Sequence, residues 1–314
     1  MKKMLVGFAL ADAMGVPVEF KSRLSLKSNP VVGMRGYGTW NQPAGTWSDD
    51  TTMTLATMQS ITHLKTIDVN DMMCNFAKWY KHGEFTVSGR FDIGHTTRDG
   101  IKRFFEGMSP ILCGSTDINS NGNGSLMRMT PIAMYFYAKY RNNFPADVMK
   151  TIHKVSALTH AHPISKIGCG LYCLIMAELL SSVPVQEAIN TGLRKGLDYY
   201  KDIPEYAQHL RVYSRLFDNN FSALPEKAIN SSAYIVDTLE SAIWCLLNTS
   251  DYKSLILTAV NLGLDTDTVA AVTAGLGGVI YDYNDLPSTW LKTLRKKDYL
   301  ERMEQAFFKT LESL

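Results

Sequence analysis

Three features of this 314-residue chain predict an all-α fold in a single domain. Apolar residues recur at helical spacing through most of its length, and no stretch alternates apolar and polar residues as a half-buried strand does. No repeat, low-complexity linker or break in composition divides it, so one domain over residues 1–314 is expected. Apolar residues make up 46% and charged residues 20%, with a net charge of +2, an ordinary globular balance. No basic run exceeds Arg295-Lys296-Lys297, so there is no electrostatic case for nucleic acid or a membrane surface as partner.

The elements follow in order. Residues 4–15 form a first helix of small and apolar residues, among them Gly7, Ala9, Ala11 and Ala13, which allow close approach of a neighbour; Pro17 ends it. Lys2-Lys3 before this apolar run, with Ala9-x-Ala11 inside it, resembles a short signal peptide, but Asp12 and Glu19 follow at once. Five scattered cysteines, with Cys169 and Cys173 four apart on an apolar helical face, fit a reduced, cytoplasmic protein. Residues 20–45 lack a period and hold Gly33, Gly36, Gly38 and Pro43; this long loop is expected to be mobile and is a candidate lid. No further stretch approaches the roughly 20 apolar residues of a membrane span.

Trp47-Ser48-Asp49-Asp50 opens a second helix, carried by Met53, Leu55, Ala56, Met58 and Ile61. Met72, Met73, Phe76, Trp79 and Tyr80 give the next apolar face, which breaks at Gly83, and a helix over 96–105 follows the loop Phe91-Asp92-Ile93-Gly94. A turn-rich stretch then ends in Asn121-Gly122-Asn123-Gly124-Ser125, a nest of exposed N–H groups or simply the loop before the apolar segment 126–134. Helices are predicted over 146–158, 164–180, 185–199, 204–217, 237–247 and 252–262, with one or two more over 288–314.

The stretch 261–278 stands out. Asp265-Thr266-Asp267-Thr268 places two carboxylates and two hydroxyls at the mouth of a small-residue helix built on Ala270, Ala271, Ala274, Gly275, Gly277 and Gly278. Such residues cap helices, and they also ligate hard divalent cations. Glu19 and Ser48-Asp49-Asp50-Thr51 lie at two other helix ends. Five carboxylates that converged would repel one another strongly unless cations lay between them.

These motifs, in their order along the chain, resemble the ADP-ribosylglycohydrolase family, which includes ADP-ribosylarginine hydrolases and the dinitrogenase-reductase-activating glycohydrolase. The resemblance starts at Ala11-Asp12-Ala13-Met14-Gly15-Val16-Pro17-Val18-Glu19, takes in Ser48-Asp49-Asp50-Thr51, Phe91-Asp92-Ile93-Gly94, Gly122 to Arg128, Thr159-His160 and Ser232 to Trp244, and ends at Asp265-Thr266-Asp267-Thr268. It implies an orthogonal helical bundle with two divalent cations, Mg²⁺ or Mn²⁺, at the base of an ADP-ribose cleft. It further implies that Ser48, Asp49 and Asp50 hold one metal, that Asp265 and Thr268 hold the other, and that Asp267 bridges them.

By the same resemblance Glu19 positions ribose or water, and Asp92 is a catalytic acid typical of arginine-directed members. Asn123, Gly124 and Ser125 meet the diphosphate, His160 binds phosphate or ribose, and Tyr234 stacks on adenine or ribose. Met127 and Arg128 brace the loop. Leu264 stands where a glycine is usual. The implied activity is metal-dependent hydrolysis of the bond between ADP-ribose and a protein side chain, arginine first, by a monomer. The competing readings are a serine-linked or O-acetyl-ADP-ribose conjugate as substrate, or a non-catalytic binding member of the fold.

Overall fold

The computed structural model describes residues 4–314. Its first half carries α1 (Met4–Gly15), a short α2 (Arg23–Ser28), α3 (Asp49–Leu64), α4 (Val69–His82), α5 (His95–Phe105) and α6 (Thr130–Tyr140). The second half carries α7 (Ala146–Ala157), α8 (Pro163–Leu180), α9 (Val185–Tyr200), α10 (Pro204–Ala207), α11 (Ile235–Leu247), α12 (Tyr252–Asn261), α13 (Thr266–Gly277), α14 (Ser288–Thr293) and α15 (Lys297–Glu312). The described residues contain isolated β-bridges but no strand. The all-α expectation holds.

The core is organised on α1 and α13, which pack against each other. Every residue of α1 is buried, so the run that resembles a signal peptide is a core helix here; the Lys2-Lys3 pair lies outside the described residues. Small residues make the close crossing possible. A Cβ on Gly15 would stand 2.3 Å from the Asp267 backbone, and Thr266 Oγ1 donates to the Gly15 carbonyl at 2.8 Å. Gly15, at the end of α1, therefore lets the two backbones meet where the acidic residues sit. Helix α8 is long and apolar enough to cross a membrane by length and composition, but 83% of it is buried inside the fold.

Two segments depart from the sequence reading. The helix expected over 204–217 breaks into α10 and a 3₁₀ turn, Leu210–Phe217. That tighter winding puts Tyr213 and Leu216, three apart, on one buried side, and the Tyr213 hydroxyl donates to the Ile164 carbonyl at 2.8 Å. Within 20–45, α2 is tied down: the Arg23 guanidinium donates to the carbonyls of Leu262, Glu226 and Ile229. The Asn261 amide pairs with both backbone groups of Val31 at 2.9 Å. The turn closed by the Tyr37–Gln42 bridge is the part that reaches back to Glu19.

Candidate active site and metal centre

Seven carboxyls converge where α1, α3 and α13 meet: Asp12, Glu19, Asp49, Asp50, Asp92, Asp265 and Asp267. Asp12 is the support. Its Oδ1 accepts from the Ser48 N–H (2.9 Å), and its Oδ2 accepts from the Thr51 N–H (3.0 Å) and Thr51 Oγ1 (2.6 Å). It thus caps α3 from another helix and fixes the turn bearing Ser48, Asp49 and Asp50. Ser48 is the local cap, accepting from the Asp50 N–H at 3.2 Å, and its hydroxyl donates to Asp50 Oδ2 at 3.1 Å. Thr268 Oγ1 donates to the same Asp50 oxygen at 3.2 Å and so joins α13 to α3.

Asp265 occupies the cap position of α13 without capping it. Its Oδ2 instead accepts from the Asn123 amide at 2.7 Å, and that amide also donates to Thr238 Oγ1 at 2.9 Å. Asp267 Oδ1 accepts from the Thr268 N–H at 3.0 Å. Asp50 Oδ1, Asp265 Oδ1 and Asp267 Oδ2 are buried with no hydrogen-bond partner. Two sets of carboxylates, Asp12–Asp50–Asp267 and Glu19–Asp265–Asp267, each bring ligand atoms within 4.8 Å of one another. Asp267 belongs to both.

Burial raises the pKa of all seven, and for most of them neighbouring carboxylates add to it. Asp12 and Asp92 are pushed up to about 6 and Glu19 to about 9. Among the described residues no Lys or Arg forms an ion pair with any of them. Orphaned oxygens, an all-oxygen donor set and uncompensated negative charge are what hard divalent cations require. The donor set fits such ions.

Asp92 reaches Glu19 and Asp267 with its side chain from a left-handed backbone (φ 55°). The indole N–H of Trp40, in the 37–42 turn, donates to Glu19 Oε2, and Thr39 Oγ1 donates to the Glu19 carbonyl at 2.7 Å. Leu264 also takes a left-handed conformation (φ 63°), which is why a glycine would sit easily there. It is fixed by exchange with the 20–21 backbone: the Phe20 N–H donates to Leu264 O at 2.6 Å, and the Leu264 N–H to Lys21 O at 2.7 Å.

The glycine–asparagine loop borders this cluster through Asn123. Its N–H donates to the Ala233 carbonyl at 2.9 Å, and Gly122 bridges to Tyr234, which places the half-buried Tyr234 beside the loop. A Cβ on Gly124 would stand 2.8 Å from Thr97 Oγ1 and 3.0 Å from His160 Cε1, so packing alone demands a glycine. The Ser125 hydroxyl is fully buried against Ser156 Oγ (3.1 Å) and Cys169 Sγ (3.4 Å). His160 pairs with Thr159 Oγ1 at 2.7 Å, and burial, aided by Arg128, pushes its pKa down to about 3. Arg128 donates to Gly124 O (2.6 Å) and Thr159 Oγ1 (2.8 Å), bracing the loop.

The structure therefore gathers Glu19, Ser48, Asp49, Asp50, Asp92, Asp265, Asp267 and Thr268 in one cluster, with Asn123 attached. It sets Ser125 behind the loop. Sequence reasoning gave no role to Asp12 or Trp40. A carboxylate alone in the wholly apolar run 4–15 was the signal for Asp12; nothing local marked Trp40.

The pattern described as ADP-ribosylglycohydrolase matches residues 1–313. The chain belongs to the ADP-ribosylglycohydrolase family. It is 29% identical over 308 residues to the ADP-ribosylarginine hydrolase Tri1 of Serratia proteamaculans, covering 98% of this chain and 78% of that protein. It is 31% identical over 295 residues to the ADP-ribosyl-(dinitrogen reductase) glycohydrolase of Rhodospirillum rubrum, covering 93% and 89%. The solved structure of an "ADP-ribosylglycohydrolase-related protein complex" superposes with a TM-score of 0.80 at 25% identity, over 99% of this chain and 98% of that one. This glycohydrolase is accordingly an enzyme of ADP-ribose conjugate hydrolysis with an acidic cluster able to bind metal.

Proposed function

We propose that the protein removes ADP-ribose from modified arginine on proteins, with two divalent cations, Mg²⁺ or Mn²⁺, held at the acidic cluster. The observation that carries this reading is Asp267, which belongs to both carboxylate triads and keeps one buried oxygen without a partner. Ser48, Asp49 and Asp50 would hold one ion, Asp265 and Thr268 the other, and Asp267 both; Asp12 and Glu19, which complete the triads, lie close enough to join them. Bound there, the ions supply Lewis acidity that orients ribose hydroxyls and lowers the pKa of a water.

The remaining steps belong to side chains. Glu19 and Asp92 are in contact and both have raised pKa values, chiefly because burial disfavours their charged forms, with the Asp92 charge adding to the rise at Glu19. The pair therefore keeps a proton near neutral pH and can give it to the leaving nitrogen, while the partner carboxylate accepts one from the attacking water. Asn123 and Thr238 hold Asp265 in place. The assignment to arginine is supported by Asp92 at the site and by the arginine-directed relatives. Cysteines that are all unpaired, four of them buried, support a reducing, cytoplasmic setting.

The test is incubation of the protein with Mg²⁺ or Mn²⁺ and ADP-ribosyl-arginine, ADP-ribosyl-serine or O-acetyl-ADP-ribose, following free ADP-ribose. Release from the arginine conjugate is expected. No release from any of the three, by protein shown to hold metal, would favour a non-catalytic binding member.

A further inference from the structure

Two acid–aromatic dipeptides flank the site, Glu19-Phe20 and Phe91-Asp92, and Trp40 stands between their rings. The Trp40 ring centroid lies 5.9 Å from Phe91, tilted by 47°, and 6.2 Å from Phe20, at 61°. Phe20 is 64% exposed, while Trp40 and Phe91 are half-buried. In each dipeptide one residue takes a left-handed backbone, Phe20 at φ 64° and Asp92 at φ 55°. That conformation costs about 1–2 kcal/mol for a non-glycine residue and collects at functional sites. The Glu19 carboxyl is buried with Phe20 exposed beside it, and the Asp92 carboxyl reaches the cluster while Phe91 stays half-buried.

We propose that Trp40 and Phe91 form the corner that receives the cationic side chain carrying the ADP-ribose, and that they set the preference for a guanidinium over a neutral acceptor. This deepens the hydrolase reading above and rests on it. A guanidinium stacks on an indole or phenyl face by cation–π attraction and presents its N–H groups in a planar fork to carboxylates. The corner offers both, since the Trp40 indole is tied to Glu19 and Phe91 is the chain neighbour of Asp92.

Geometry limits the guest. Rings 5.9 Å apart do not admit a planar group between them, because two stacking contacts of about 3.5 Å would be needed, so the guest lies on the open face of the corner. An adenine would also stack there, but it carries a diphosphate that the adjoining Glu19 and Asp92 repel, whereas they attract a cation. Trp40 is a specificity residue by contact with the acceptor, and its bond to Glu19 is a second, separable role.

The experiment compares wild type with Trp40→Leu, Trp40→Phe and Phe91→Leu, metal-loaded, on ADP-ribosyl-arginine and ADP-ribosyl-serine peptides. Trp40→Leu is expected to raise KM for the arginine peptide about ten-fold and, through the lost bond to Glu19, to lower kcat on both peptides alike, with the serine peptide's KM rising less than about two-fold. Trp40→Phe should recover most of the loss in KM but not that in kcat, and Phe91→Leu should show a smaller rise in KM of the same kind. Equal rises in KM on both peptides, or a fall in kcat with no rise in KM for the arginine peptide, would overturn the proposal and leave Trp40 as a support for Glu19. Calorimetry separates this from failure of the hydrolase reading. Even a protein that releases nothing should bind ADP-ribosyl-arginine more tightly than ADP-ribose, by an increment that Trp40→Leu removes; equal affinities in wild type would overturn the corner by themselves.

Discussion

The molecule buries two polar clusters of opposite character. Around His153 the account closes: Nε2 pairs with the Tyr200 hydroxyl at 2.8 Å and Nδ1 with the Tyr206 hydroxyl at 3.1 Å, and burial pushes the imidazole pKa down to about 3, so that it stays neutral. Around Asp267 it does not close, because seven carboxyls share the space, three of their oxygens have no partner, and among the described residues no basic side chain pairs with them. Both clusters lie inside the same helical core. A satisfied buried cluster is scaffold, since leaving any member unpaired costs free energy. An unsatisfied one is a ligand site, because the missing charge must come from outside.

The sharpest way to break this comparison is to remove charge from the open cluster. Asp267→Asn should lower kcat/KM by more than about 100-fold, beyond the loss of a mere supporting partner, and should abolish metal binding. The same variant should raise the thermal stability of the metal-free protein, because one uncompensated carboxylate is gone. Near-normal turnover would sink the bridging role. Kinetics, metal content by mass spectrometry and Tm in EDTA read the three effects.

Next comes pH. The folded pKa values of Asp12, Asp92 and Glu19, about 6, 6 and 9, exceed the ordinary 3.8 and 4.5. The folded, metal-free protein therefore holds protons that the unfolded chain has released, and the resulting stability, complete below pH of about 4, is lost as pH rises through 6 toward 9. Metal replaces those protons, so the gain in Tm on adding Mg²⁺ should grow from about pH 5 to pH 9. A gain that shrank with pH would contradict the cluster's role.

The smallest effect belongs to the closed cluster. His153→Phe leaves the Tyr200 and Tyr206 hydroxyls short of a partner and should cost about 1–3 kcal/mol of stability, measured by denaturant unfolding. Turnover should stay at the wild-type value. Burial holds the His153 pKa far below 6.5, so its contribution is present above that pH and disappears as pH falls toward 3, the reverse of the acidic cluster.

Much of the site was legible because its residues sit at helix starts, where chain order and local chemistry coincide. Glu19, Ser48-Asp49-Asp50 and Asp265-Thr266-Asp267-Thr268 could be picked out as oxygen-rich helix ends before any geometry was known. Local chemistry did not separate a cap from a ligand. Ser48 does cap α3, whereas Asp265 occupies the same kind of position and turns its oxygens to Asn123 and the cluster. Leu264 was visible as an oddity, and its left-handed backbone, fixed by hydrogen bonds to residues 20 and 21, explains the site's preference for glycine. Residues 204–217 misled because apolar spacing at i and i+3 suits a 3₁₀ turn as well as an α-helix.

By itself the sequence determined the helical class, the small-residue faces of α1 and α13 and the inventory of carboxylates, since each follows from local periodicity and side-chain chemistry. Tertiary structure alone decided which carboxylates meet. Asp12 caps a helix 36 residues away, Trp40 binds Glu19 across a turn, and Asp267 joins two triads because Gly15 lets α1 and α13 touch. Those pairings depend on backbone approach between distant segments, a three-dimensional quantity that no local spacing encodes.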